Sequence, residues 1–278
     1  MPKQNKGDKG EIQCVKYCFD NQNNLVWCNE NLYEPEGIQV INPITKKVIN
    51  SLDEIQKANS NYKSDIYLKS IRRNEVIGTS IKSFTSNTSP PSVINVTRRS
   101  KFIENKTLSN LVQYADIMMK VYFETDKNKS AILRGKSECD IMLSRLDLDE
   151  ETKNGIAEII MYFTFNGTGN GDSNSPANAV IDYYGNGKFH YTFCPTRQDK
   201  INYVLNNWNR YQIVLRGHCI YKSGKNKGKL RTNGLLKSGP VEDDLPWVCY
   251  YEGVDGKKYP RGALGIRIVK DKNKNKKK

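Results

Sequence analysis

The sequence predicts an α+β fold, and three observations carry that prediction. Several stretches repeat apolar residues at helical spacing. Two alternating stretches are joined by a short polar turn. Short β-like runs separated by Gly/Lys-rich turns then fill the C-terminal third. The chain has 278 residues, enough for one large domain or two small ones with a substantial core and no need of covalent staples.

Residues 9–19 predict the first helix: Ile12, Val15 and Phe19 recur along one face, Cys14 and Cys18 widen it, and Glu11 sits on its shoulder. A second helix is expected from Ser51 to about Asn59, because Ser51-Leu52-Asp53-Glu54 has capping-box spacing. Ser64–Ile71 alternates Ile66 and Leu68 against Asp65, Tyr67 and Lys69. Together with Val76–Phe84 it predicts a hairpin through the polar turn Arg72-Arg73-Asn74-Glu75. Helical spacing returns at 107–123, where Leu111, Ala115, Met118, Met119 and Tyr122 align, and at roughly 149–163. The Gly/Asn/Ser/Asp-rich stretch 166–178 reads as a long loop and as the division of the chain. Beyond it lie β-like runs at 188–194, 211–221, 246–251 and 263–269 and a helix near 198–206, with no internal repeat. The expected organisation is therefore residues 1–165, the loop 166–178, a β-rich part 179–269, and a disordered basic tail 270–278.

Composition narrows the chemistry. No apolar run approaches the roughly 18 residues that span a bilayer, and Met1–Gly10 carries no apolar signal segment, so the expected compartment is the cytoplasm. Seven scattered cysteines without a C-x-x-C pair predict reduced thiols, most simply small buried hydrophobes. With only His190 and His218, a histidine-rich metal centre lacks ligands, and His190 within Phe189-His190-Tyr191 reads as a sheet histidine. The net charge is +14, of which the segment from Lys270 to Lys278 supplies +5, so the body keeps +9. Such an excess suits a polyanionic partner, since Lys and Arg that neutralise phosphates release counterions, and it suits plain solubility as well.

The hairpin carries the candidate chemistry. Asp65 stands at the start of its first strand. Ser80 and Lys82, two residues apart, project from one face of the second. Phosphodiester hydrolysis needs a carboxylate-held cation and a group that positions water, and a twisted hairpin of this kind supplies both. Glu75 has the opposite parity to Lys82 and points to the other face.

Asp65 followed by Ser80-Ile81-Lys82 resembles the PD-(D/E)xK nuclease core, with Ser80 in the position of the second acid. The wider context Gly78-Thr79-Ser80-Ile81-Lys82-Ser83, then Ser89-Pro90-Pro91-Ser92-Val93-Ile94-Asn95, resembles the HpaII-like restriction endonuclease family, which carries a GxSIKS strand, a Ser/Pro-rich turn and an LLNA-like segment. Asn5–Glu11 is similar to that family's N-terminal KGE helix. Phe189-His190-Tyr191 through Val204-Leu205-Asn206-Asn207 is similar to its C-terminal strand-helix pair, and Gly262–Ile268 loosely to its final strand. The likeness is strong over 64–103, while 166–178 and 225–247 match nothing in it.

The resemblance implies a mixed β-sheet flanked by helices and a Mg²⁺-dependent type II restriction endonuclease. Such an enzyme leaves 5′-phosphate ends at a short, CCGG-like site in double-stranded DNA. It implies Asp65 and Glu11 as metal ligands and Asp65, Lys82, Ser80 and Glu11 as the catalytic set, with Glu104 the other acid available to replace the one missing at Ser80. A homodimer would match a palindromic site, and a cognate DNA methyltransferase is the expected functional partner. A sequence-nonspecific nuclease and a catalytically inactive DNA-binding protein are the alternatives. For DNA contacts, Arg98, Arg99 and Lys101 are placed to grip phosphates or to solvate a loop. Lys222, Lys225, Lys227, Lys229 and Arg231 suit backbone tracking or a flexible turn.

Overall fold

A computed structural model describes residues 6–22, 37–58, 61–72, 74–85, 90–97, 99–124, 141–169, 171–215, 225, 249–252, 258–261 and 264–271. The chain is α+β and forms two compact units. The first comprises residues 1–91, 161–206 and 269–278, and the second residues 92–160 and 207–268.

The first unit is built on a five-stranded mixed sheet. Helix α1 (Lys6–Asp20) precedes β1 (Ile38–Ile41), β2 (Ile66–Ser70) and β3 (Val76–Ser83). The sheet order is β1-β2-β3-β8-β9, where β8 is Ala179–Gly185 and β9 is Lys188–Phe193. Neighbours run antiparallel except β3 and β8, which are parallel. Alternation gives each strand two faces. Ile38, Val40, Ile66, Leu68, Ile77, Ile81, Ile181 and Tyr191 form one face, and with Cys14, Val15 and Cys18 of α1 they make a buried core. The opposite face carries Tyr67, Ser80, Lys82, Asp182 and His190.

The expected hairpin is present, turning through Asn74, whose φ of 54° lies in the left-handed region that Asn tolerates. The expected helix at 51–59 is not. Only a single 3₁₀ turn, Leu52–Glu54, forms, and Ser51 makes no side-chain cap. The carboxylate of Glu54 instead accepts the Asn50 N–H at 2.9 Å, one residue away from the bond a capping box requires.

The segment 166–178 is more ordered than a loop. A π-helical turn, Tyr162–Asn166, leads into the small hairpin β6 (Gly167–Thr168) and β7 (Gly171–Asp172), tied down by the 2.7 Å Tyr162–Asp172 bond. Nor does this segment divide the chain. β8 and β9 pair into the sheet of β3, and helix α5 (Arg197–Asn206) belongs to the same unit. Lys270, assigned to the tail, lies 5.3 Å from the Tyr184 ring centre, so ordered structure extends past 269.

The second unit holds an antiparallel sheet of order β4-β13-β10-β5. Its strands are β4 (Ser92–Thr97), β5 (Ile141–Met142), β10 (Tyr211–Leu215) and β13 (Leu264–Ile268). Strands β11 (Cys249–Glu252) and β12 (Lys258–Arg261) form a separate ribbon. Its helices are α2 (Arg99–Glu104), α3 (Val112–Glu124) and α4 (Glu150–Met161). α3 and α4 fall where the periodicity of 107–123 and 149–163 predicts them. Gly155 of α4 leaves room for the Tyr114 ring of α3.

Candidate active site

Asp65 is placed by backbone bonding on both sides. Its N–H donates to Thr79 O at 2.8 Å, the last rung between β2 and β3. Beyond that rung β2 diverges, and the Asp65 side chain takes over the next acceptor position: Oδ2 accepts the Ile81 N–H at 2.6 Å, with Ser80 Oγ at 3.5 Å. Among the described residues, no hydrogen bond falls on Oδ1. Within a strand, N–H and C=O of one residue point to the same side, so the Ile81 carbonyl faces this edge too.

A clamp from the 171–178 segment holds the approach to Asp65. Lys63 N–H donates to Ser173 Oγ at 2.8 Å and to Ser175 O at 3.1 Å. Ser64 N–H donates to Ser175 O, and Ser64 Oγ to Pro176 O, each at 2.8 Å. Tyr67 Oη bonds Ser175 Oγ at 2.7 Å. Gly78 makes this closure possible, because a Cβ there would sit 2.5 Å from Pro176 O and against Ser64 Oγ. The clamp is long-range, joining residues more than a hundred positions apart.

Ser80 and Lys82 lie on the Asp65 side of β3, and Lys82 is only 6% exposed. Burial pushes the Asp65 carboxyl above the usual carboxylate range, against the pull of Lys82, the Ile81 N–H, Lys63 and Lys57. Lys63 is pushed down to about 7, first by burial and then by the Lys82 ammonium, with Asp65 and Glu11 opposing. Glu11 reaches the same cluster from α1. Gly10 abuts Ser83 and Thr85 of the β3 end, where any side chain would collide, and Glu11 Oε2 pairs with Lys57 Nζ at 3.7 Å.

Lys82, Asp65 and Glu11 all act on Lys63, and Ser80 Oγ stands 3.5 Å from Asp65 Oδ2, so the four residues share one neighbourhood. Reading the sequence alone misses Lys57, Lys63 and Asp182. Asp182 is directly opposite Lys82 on β8 and His190 is directly opposite Asp182 on β9, so the three share one face. Asp182 is 3% exposed. A charged residue inside the apolar run Ala179–Tyr183 is the signal that marks it.

The other described candidates belong to the second unit. Arg99 does not present a free cation: its Nε and Nη2 bind the Asp116 carboxylate at 2.9 and 2.7 Å. Lys101 pairs with Glu104 at 2.6 Å on the exposed side of α2, so Glu104 is a surface acid. Lys225 is an exposed turn residue, while Arg98, Lys227 and Lys229 lie outside the described residues.

The donor set is all oxygen, which suits a hard divalent cation. Among the described residues no three His, Cys, Asp or Glu side chains gather as a metal-holding group. Mg²⁺ is commonly held by one or two carboxylates with water and substrate phosphate completing the shell, and Asp65 and Glu11 fit that pattern. Among the described residues no helix is long and apolar enough to cross a membrane. No family model matches the chain, and no curated protein matches it.

Proposed function

We propose that this chain is a Mg²⁺-dependent endonuclease of double-stranded DNA, of the type II restriction class and the PD-(D/E)xK fold. The observation that carries the reading is that the Asp65 carboxylate closes onto the Ile81 N–H where β2 and β3 diverge, on the strand that carries Ser80 and Lys82, with Lys82 and Glu11 in the same electrostatic neighbourhood. The +9 charge of the body and the GxSIKS-like strand support it.

On this reading Asp65 and Glu11 hold the cation, whose chemistry is Lewis-acid stabilisation of charge on the phosphate. Lys82 orients the attacking water and, as an ammonium, stabilises the negative charge that builds on a non-bridging oxygen. Ser80 donates toward Asp65 Oδ2 and so fixes the carboxylate. Asp182, beside Lys82, orients the ammonium. Water adds to phosphorus, the bond to the 3′-oxygen breaks, and the products are a 5′-phosphate and a 3′-hydroxyl. A homodimer acting on a CCGG-like palindrome beside a cognate methyltransferase completes the proposal.

Incubating the purified protein with unmethylated phage DNA and millimolar MgCl₂, with EDTA and Lys82→Ala controls, tests it. The expected result is discrete, metal-dependent bands that Lys82→Ala abolishes while DNA binding persists. A smear points to a nuclease without sequence preference. Intact DNA that is still bound supports a binding protein, the reading that Ser80 in place of an acid favours. Cutting retained by Lys82→Ala overturns the assigned centre.

A further inference from the structure

We propose that Lys46, held in place by Tyr67 and Tyr62, binds a DNA backbone phosphate beside the Asp65 centre. The inference rests on the endonuclease reading above and adds to it a contact residue that lies outside the hairpin motif.

Lys46 Nζ donates to Tyr67 Oη at 2.8 Å. It stands 4.1 Å from the centre of the Tyr67 ring and 5.8 Å from that of Tyr62, within cation–π reach of both. Among the described residues no carboxylate pairs with it, so two of the three ammonium N–H donors remain for a ligand. The Lys46 backbone has φ of 58°, the left-handed region where a turn favours Gly or Asn. A lysine there works against the turn, which points to its side chain as the reason for the residue. Tyr67 is itself fixed. Its Oη also bonds Ser175 Oγ at 2.7 Å, and its ring lies against Gly78, where a Cβ would approach Tyr67 Cε1 to 3.1 Å.

Alternation puts Tyr67 on the same side of the strand as Asp65, roughly 6.6 Å further along by the rise of two residues. Lys46 therefore brings its charge to the face that carries Ser80 and Lys82. Lys69 comes next on that face of β2. Asp65, the Lys46–Tyr67 pair and Lys69 thus form a row along one strand, which suits a polymer of repeating charge better than a single anion. The Lys46 side chain is ordered before DNA arrives, so capturing a phosphate costs less rotamer freedom than it does at a free surface lysine. Lys, a point charge, suits phosphate capture without base reading. The residue positions the strand and leaves sequence choice to others.

The test is the salt dependence of binding to a short fluorescein-labelled duplex, with CaCl₂ in place of MgCl₂, for wild type, Lys46→Asn, Lys46→Arg and Lys47→Asn. A lost phosphate contact lowers the magnitude of the slope of log K against log salt by about 0.9. The binding deficit of Lys46→Asn should therefore shrink by roughly eightfold for every tenfold rise in salt. Asn suits the left-handed turn and the position is exposed, so this variant keeps the fold, which a melt alongside wild type verifies. Lys46→Arg should restore the wild-type slope. Lys47→Asn removes the same charge from the next, exposed position and should keep the wild-type slope. A wild-type slope in Lys46→Asn, or an equal loss in Lys47→Asn, overturns the site and leaves the nuclease reading intact. Binding that depends on Lys46 in a protein that never cuts supports the site and overturns the nuclease reading. A wild-type protein that neither binds nor cuts DNA overturns both.

Discussion

The Asp65 carboxylate accepts the Ile81 main-chain N–H at 2.6 Å and so occupies, with a side chain, the position where the next ladder carbonyl of β2 would have stood. One bond thereby ends the pairing of the hairpin and aims a carboxylate at the strand that carries Ser80 and Lys82. A carboxylate in that position is costly to the fold. Burial raises its pKa, so the folded chain binds the proton more tightly than the unfolded chain does. Stability from this group is therefore greatest in acid. It falls as pH rises from the unfolded value, roughly 3.9, through the raised folded value.

Asp65→Asn keeps an oxygen acceptor for Ile81 and removes the charge. The expected outcome is a higher Tm at neutral pH by calorimetry, with each 1 kcal/mol recovered worth roughly 2–4 °C at this chain length. The gain should shrink as the solution is acidified. Metal-dependent cleavage should be lost. An Asn variant that melts lower than wild type at neutral pH would show that the charge stabilises the site instead.

Gly10→Ala tests how Glu11 is delivered. A Cβ at Gly10 collides with Ser83 and Thr85, so α1 must lift from the end of β3 or tilt. Overpacking of this kind costs about 1–3 kcal/mol, read as a lower urea midpoint with an unchanged m-value. Cleavage should fall as well, because Glu11 moves with its helix. The double variant Gly10→Ala/Ser83→Gly should recover part of the stability; no recovery would mean that the tight contact lies elsewhere.

Arg99 and Asp116 should behave as a structural pair. Both side chains are about a quarter exposed and the guanidinium binds bidentately, so a double-mutant cycle should give a coupling near the upper end of the surface range, about 1 kcal/mol. Arg99→Ala should leave the salt slope of DNA binding unchanged. A slope lowered by about 0.9 would instead return Arg99 to the phosphate-binding set.

Much of this molecule was legible locally. The α1 face, the hairpin from β2 to β3 and the helices α3 and α4 follow from apolar period alone, since a segment that buries one face needs only its own spacing to declare it. The expected helix at 51–59 failed for an equally local reason: Glu54 bonds the N–H of Asn50 rather than of Ser51, and the turn does not propagate. Strand β8 is legible from the turn that follows it. Asn186 and Gly187 have φ of 50° and 74°, the paired left-handed conformation that an Asn-Gly hairpin announces, and they mark a strand on each side.

For the candidate site the division is sharper. The sequence by itself determined the α+β class, the basic character, and the placing of Asp65, Ser80 and Lys82 on one hairpin, because period and parity are properties of neighbours in the chain. Tertiary structure alone decided that residues 173–176 clamp the approach to Asp65, that Lys57 and Lys63 share its field, and that β8 sets Asp182 directly opposite Lys82. Those relationships are parallel pairing, long-range hydrogen bonds and charge proximity between residues as much as a hundred positions apart. They arise when burial of the sheet's apolar face brings the segments together, and no pattern confined to one segment encodes them.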